Sequence, residues 1–182
     1  MTAAASQTAV TTTWNIDPAH TVAEFKVKHM MISNVKGHFA KVTGVLTLDD
    51  SDPANSSVEA SIDVASIETR DPQRDGHLKS ADFFDVEKYP TMTFKSFKFV
   101  PEDGIVEGEL TIKGVTRTVA FQVEGPTLPA KDPWGNLRVA VSATTKISRK
   151  DFGLIWNAAL EGGGFLVGDE VTITLDAQFV KA

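Results

Sequence analysis

The sequence predicts an all-β protein: eight antiparallel strands in hairpin order, closed into a barrel, with one helical crossover segment. Three observations carry this. Apolar and polar residues alternate with period two over most of the chain. Turn-forming clusters interrupt the alternation at short intervals. Only one stretch, between Ile67 and Thr91, lacks alternation and is too long for a hairpin loop. An even count of hairpin-linked strands suits closure, which removes aggregation-prone edges, so a barrel is favoured over a sandwich. The 182 residues suit one domain. They divide into a disordered polar tail over 1–13 and the barrel over 14–182.

The first strand alternates Ala23, Phe25, Val27 and His29 with Glu24, Lys26 and Lys28. A second strand from about Lys36 to Asp49 sets Ala40, Val42, Gly44, Leu46 and Leu48 on one face, and the cluster DDSDPANSS turns it. The third carries Val58, Ala60, Ile62 and Val64. In the crossover, Asp71 followed by Pro72 predicts an N-cap with proline at the first helical position. Leu78, Ala81 and Phe84 then form a short apolar stripe, although Gly76 weakens the helix. Alternation resumes over Thr91–Val100, Ile105–Lys113, Thr116–Glu124, Asn136–Ser148 and Val171–Lys181, with turns at Pro101–Gly104, Lys113-Gly114 and Pro129–Gly135. The last strand is the most regular, with Val171, Ile173, Leu175, Ala177 and Phe179 on one face.

Composition excludes several functions. The net charge is -6 and no basic run exists, which argues against a nucleic-acid partner. There is no cysteine, so disulfide, thiol and iron–sulfur chemistry are excluded. The opening MTAAASQTAVTTTW lacks the charged start and apolar run of a secretory signal. No stretch approaches the length of a spanning helix, so no integral membrane segment is expected. A cytoplasmic location follows, with the periplasm as the alternative if the start is artificial. The four histidines, His20, His29, His38 and His77, lack metal-ligand spacing. No GxSxG elbow is present, Asp151-Phe152-Gly153 has none of the other kinase motifs, and Gly162-Gly163-Gly164 lacks the Lys-Ser/Thr of a phosphate-binding loop. That glycine run reads as a turn at one barrel end. Asp71, Arg74, Asp75, His77, Asp82 and Asp85 in the crossover suit a capped, salt-bridged segment or, less economically, acid–base work.

An eight-stranded interior is either filled by side chains or holds one small ligand. Small residues recur on the apolar faces, at Ala23, Ala40, Gly44, Ala60, Gly108, Ala143 and Ala177, each beside larger neighbours. At matching heights they would leave an axial void lined by hydrocarbon; staggered, they would fit the taper of a filled core. Sequence does not set the stagger, and both readings stay open. His29 ends a dry face beside Met30 and Met31; it is a rim histidine or a donor to a ligand head group. Arg149, Asp151 and Asn157 offer further polar atoms.

Several long blocks stand in order along the chain: WNIDPAHT from Trp14, FKVKHM from Phe25, RDGHLKSADFFDVEKYP from Arg74, GELTIKGVTR from Gly108, SRKDFGLIWN from Ser148 and VGDEV from Val167. Together they resemble the YceI-like family of bacterial lipid-binding proteins. The resemblance runs from about Trp14 to Lys181. It implies a lipocalin-like barrel of eight antiparallel strands with a polyisoprenoid chain inside, quinone- or polyprenyl-like. It also implies a homodimer, and no catalytic residue, metal or cofactor beyond the bound lipid. The role it implies is lipid storage, transport or stress response. The alternatives are an enzyme acting on a lipid-like substrate, with His29 or His77 beside an aspartate, and a stress-related interaction module with a filled core. The resemblance brings no short binding motif. The expected ligand wall is therefore read from pattern: Phe25, Val27, His29, Val42, Ile62, Phe84 and Phe94, continuing with Leu110, Phe121, Val141, Phe152, Leu154, Trp156 and Ile173.

Overall fold

The structure, a computed structural model, describes residues 10–182. Twelve strand segments form one sheet: β1 (Thr11–Ile16), β2 (Val22–His29), β3 (Ser33–Phe39), β4 (Val42–Asp49), β5 (Ser57–Asp63), β6 (Ile67–Glu68), β7 (Thr91–Val100), β8 (Ile105–Ile112), β9 (Val115–Glu124), β10 (Ala130–Lys131), β11 (Leu137–Ser148) and β12 (Val167–Lys181), with one helix, α1 (Pro72–Lys79). They make an eight-stranded closed meander because three wall positions are long strands broken once. β1 and β2 pair in succession with β12, β4 and β3 pair with β1 and β2, and β5 and β6 pair with β4 and β3. β7, β8, β9 and β11 follow, and β12 pairs with β11 on its other edge to close the ring. β10 is a two-residue rim ladder on β11.

The breaks explain two departures from the alternation. The strand expected as continuous from Lys36 to Asp49 is interrupted at Ala40 and Lys41. Phe39 and Val42 are both buried, so the inward phase slips by one residue, as at a bulge, and Ala40 is exposed rather than inside. In the first wall position the break is a 3-10 turn, Pro18–His20, capped by Asp17, which accepts from the Ala19 N–H at 3.0 Å. Gln178 spans this break: its carbonyl accepts from the Asp17 N–H at 2.8 Å and its N–H donates to Thr21 Oγ1 at 3.2 Å. Of the tail expected over 1–13, residues 1–9 lie outside the described residues, but Thr11, Thr12 and Thr13 belong to β1 and pair with β4. Their polar composition hid a strand whose inward residues are Trp14 and Ile16.

The crossover begins as expected. The Asp71 carboxylate accepts from the Gln73 and Arg74 N–H groups at 3.0 and 3.2 Å, and Pro72 starts α1. The helix ends at Lys79, so Ala81 and Phe84 of the expected stripe fall in the turns beyond it. Those turns carry Phe83 and Phe84 into the barrel end, where Phe39 and Phe84 meet edge to face at 5.9 Å. No helix among the described residues is long and apolar enough to cross a membrane.

Strand directions alternate around the ring, so the connections sort into two ends. One end, the cap, holds the β2–β3 turn, the α1 crossover, the β8–β9 turn and the 149–166 segment. The other, the mouth, holds the 50–56, 101–104 and 125–136 connections. The mouth-side loop is fastened by Arg138, whose Nη1 donates to Asp17 Oδ2 at 2.5 Å and whose Nε donates to Asp132 Oδ2 at 2.8 Å. The guanidinium, helped by His20, lowers the Asp17 carboxyl from 3.8 to about 2, and it holds Asp132 well below the usual carboxylate range. Both folded-state values are depressed, so the stabilisation is complete above the ordinary carboxylate value and is lost as pH falls through the folded value. Unfolding midpoints should therefore drop between pH 3.8 and about 2. Arg138→Gln should flatten that acid limb; an unchanged pH profile in the variant would show that the latch contributes nothing.

Candidate functional site

A cavity of about 260 Å³ lies inside the ring, lined by residues from every wall position. It is larger than the roughly 150 Å³ at which an apolar cavity already stays dry and takes a hydrocarbon guest. On β4 its lining runs from Val42 to Leu48, so it extends about 20 Å along that strand. The space is therefore long and narrow, and its walls are almost wholly carbon.

Two packed clusters bound it. Toward the cap lie Phe39, Val64, Ile67, Phe83, Phe152 and Leu154, with Phe25 against Phe39 at 5.8 Å. Toward β1 and the C-terminal part of β12 lie Trp14, Ile16, Val42, Leu46, Val139 and Phe179. At the cap the lining residues Phe39, Phe83, Phe152 and Leu154 are buried. Toward the mouth the lining passes through half-buried Leu48, Phe99, Val106 and Val123 to exposed Ser57, Gly125 and Pro126. The cavity thus opens between the β4–β5 connection and the start of the 125–136 loop.

Most of the expected wall residues are brought together here. Phe25, Val42, Ile62 and Phe84 line the cavity, as do Phe94, Leu110 and Phe121, and Val141, Phe152, Leu154 and Ile173. Phe94 and Phe121 pack edge to face at 5.1 Å across β8. Val27, His29 and Trp156 do not line it. β6 pairs only with His38 and Phe39, so on that side the β2–β3 hairpin runs on without a strand partner, and its Val27 and His29 are absent from the lining although Val171, opposite Val27 on β12, is part of it. Trp156 packs on the outside of the cap, 4.7 Å from the His77 ring and 5.4 Å from Phe83. The wall also includes Ile16, Phe39, Phe83 and Phe99, which the pattern did not single out, and Leu46 and Leu48, which it set on the face of Val42 but which the expected wall left out. Leu46 and Leu48 follow Val42 in phase and were legible; Phe83 is placed only by the fold of the crossover.

The small residues divide. Ala23, Ala60 and Ala143 line the cavity. Gly108 opens no space: the Phe94 ring stands 2.5 Å from where its Cβ would be. Gly44 is likewise covered by the Glu59 carbonyl and the Ile16 side chain. The interior is therefore filled at Gly44 and Gly108, where large neighbours cover the glycine, and open at the three alanines that line it; Ala177 is buried outside the lining.

Of the polar side chains expected near the head of a ligand, Arg149 and Asn157 are already occupied by the 149–168 stretch, and His29 and Asp151 do not line the cavity. Arg149 is 5% exposed. It donates to the carbonyls of Gly168, Leu154 and Trp156 at 2.8, 2.6 and 2.8 Å, and more distantly to the Val167 carbonyl and Asp169. Burial pushes its pKa down from the ordinary value. Asn157 donates to the Val167 carbonyl and accepts from the Ala158 and Val167 N–H groups. These two side chains pin the 149–166 segment over the cap. His77 and Asp82 do pair, at 2.9 Å, but on the outer side of the cap and away from the lining.

The comparisons agree with this geometry. A family model described as a YceI-like domain matches residues 14–179. A UPF0312 protein of Staphylococcus aureus is 37% identical over 168 residues, covering 92% of this chain and 97% of that one. The crystal structure of BcnA from Burkholderia cenocepacia superposes with a TM-score of 0.75 at 27% identity, covering 90% of this chain and 98% of that one. A polyisoprenoid binding domain from Saccharophagus degradans has a TM-score of 0.67 at 13% identity over 93% of this chain and 98% of that one, a likeness of fold. Removing the Arg149 anchor tests the cap. Arg149→Met should leave several buried carbonyls without a donor and cost about 3 kcal/mol or more in urea unfolding. A loss below about 1 kcal/mol, the net value of one ordinary hydrogen bond, would mean that the 149–166 segment is held by its apolar side chains instead.

Proposed function

The chain belongs to the YceI-like family, and from that premise we propose that it binds one long apolar chain, isoprenoid-like, inside the barrel as a carrier or reservoir. The observation that carries this reading is the elongated cavity of about 260 Å³ with a carbon lining that reaches exposed residues at the mouth. Hydrocarbon left in water costs roughly 0.8 kcal/mol per CH₂ group, so a long tail gains from an enclosed path. Only the surplus over ordering and desolvation appears as affinity. The narrow cross-section favours an unbranched or methyl-branched chain over a broad ring system. A fold shared with a domain named for polyisoprenoid binding is in keeping with this.

Binding, rather than catalysis, is the function the cavity supports. Its one buried charged side chain, Arg149, has its donors committed to the 149–166 segment, and the His77–Asp82 pair lies outside. Polar selection of a head group falls to the mouth. There Ser57 is exposed, while the Ser56 and Ser96 hydroxyls accept from the Asp49 and Val58 N–H groups at 3.1 and 2.8 Å. Storage, transport and a part in stress response are all compatible roles for such a container.

The test is direct. Organic extraction of protein purified without detergent should release a stoichiometric long-chain lipid, identified by mass spectrometry. Ala143→Phe places a ring in the cavity and should abolish that lipid while leaving the apo protein near wild-type stability. Loss of about 1–3 kcal/mol of stability with lipid binding intact would indicate a filled interior. Absence of any bound or bindable apolar compound would end the carrier reading.

A further inference from the structure

The connection between β2 and β3 is Met30, Met31 and Ile32, and Met30 and Met31 have φ of 50° and 62°. The Ile32 N–H donates to the His29 carbonyl at 3.2 Å. This closes a β-turn with positive φ at both central positions, a backbone that favours Asn-Gly. Two long methionines in that position are a backbone cost, and most of their apolar surface, with that of Ile32, stays in solvent: Met30, Met31 and Ile32 are 41%, 67% and 79% exposed.

The exposed apolar tips are not isolated. The Met30 N–H donates to the Leu166 carbonyl at 2.8 Å, and Met31 Sδ lies 2.5 Å from where a Gly164 Cβ would stand. This fastens the turn to the segment that carries Phe165 and Ile155, which are also exposed. Behind the turn, on the outer face of the same hairpin, Lys26 stands directly opposite Lys36, with Lys28 next along the strand. Like charges directly opposed weaken a sheet. Lys146 and Lys150 are paired with Glu170 and Asp169. Among the described residues Lys26, Lys28 and Lys36 make no ion pair; on the neighbouring segment the carboxylates of Asp151 and Glu161 are likewise unpaired. A protein of net charge -6 thus keeps three neighbouring lysines beside an apolar tip.

Apolar tips flanked by unpaired lysines match an anionic lipid surface, where the side chains enter the head-group region and the lysines meet its negative potential. A second copy is a poorer occupant, because a two-fold contact through this patch would bring the lysines toward their own equivalents. We propose that the Met30–Met31 turn, with Phe165 and Ile155, docks the cap end on an anionic bilayer, held there by Lys26, Lys28 and Lys36. This goes beyond the carrier reading and does not depend on it; it leaves the mouth unobstructed.

Sedimentation with vesicles tests it. The full chain should bind phosphatidylcholine vesicles containing phosphatidylglycerol, weakly in high salt, and should bind pure phosphatidylcholine poorly. Met30→Asn with Met31→Gly suits the turn geometry, so it should fold with an equal or higher melting temperature, keep any interior lipid and lose vesicle binding. Lys26→Gln with Lys36→Gln should weaken binding to the anionic vesicles by about thirtyfold. Trp134→Ser, at the exposed mouth-side loop, should change nothing. The proposal is overturned if the wild type ignores anionic vesicles, if the turn variant binds them as well as the wild type does, or if that variant instead abolishes a dimer seen by sedimentation velocity.

Discussion

Closure of the ring by β12 is the constraint on which the rest depends. This fifteen-residue strand pairs along β11 on one edge and with β2 and then β1 on the other. Once it does so, every inward side chain from eight wall positions shares one interior, and no water can solvate that interior except through the ends. Backbone groups are satisfied within the ladder, so the inside can be carbon throughout without a polar debt. A ring of eight strands is also near the size at which side chains can just fill the interior. Whether a void survives then depends on how the inward side chains meet, and here one survives with Ala23, Ala60 and Ala143 among its lining.

The two ends solve different problems. The cap is closed by side chains and loop, not by strands: Phe83 and Phe84 descend from the crossover, and Phe152 and Leu154 from the 149–166 segment. That segment has little regular structure of its own. A buried guanidinium therefore supplies what a ladder would, gathering carbonyls of residues 154, 156 and 168 around Arg149. At the mouth, polar latches shape the rim while the lining remains apolar. Asp132, Arg138 and Asp17 hold one side, and Asp49 with Ser51 and Ser56 holds the other. Charge is spent on fixing loops, and the cavity is left free of it.

Much of this was legible because a strand has a period of two and each inner face must be apolar. Phe25, Val42, Ile62, Phe94, Leu110, Phe121, Val141 and Ile173 were placed on a wall by that rule alone, and they do line the cavity. The rule fails where the phase slips. Ala40 was put inside and lies outside, and Thr11–Thr13 read as tail because their apolar partners begin only at Trp14. It also fails at the end of the β2–β3 hairpin, which runs on past the two-residue β6; Val27 and His29 sit there and do not line the cavity.

Sequence by itself determined the all-β class, the eight wall positions, the Asp71–Pro72 start of the crossover and the family. Each rests on local periodicity, turn chemistry or ordered blocks of residues. Tertiary structure alone decided whether the interior is hollow. Gly108 and Ala143 are equally small in the sequence, yet the Phe94 ring covers the first and open space meets the second. The difference lies in strand stagger, which sets the heights of side chains across the ring and is a property of pairing between distant segments. The same holds for Arg149. Its charge is visible in the sequence, but its burial beneath carbonyls from both ends of the 149–168 stretch depends on how that chain returns to the barrel.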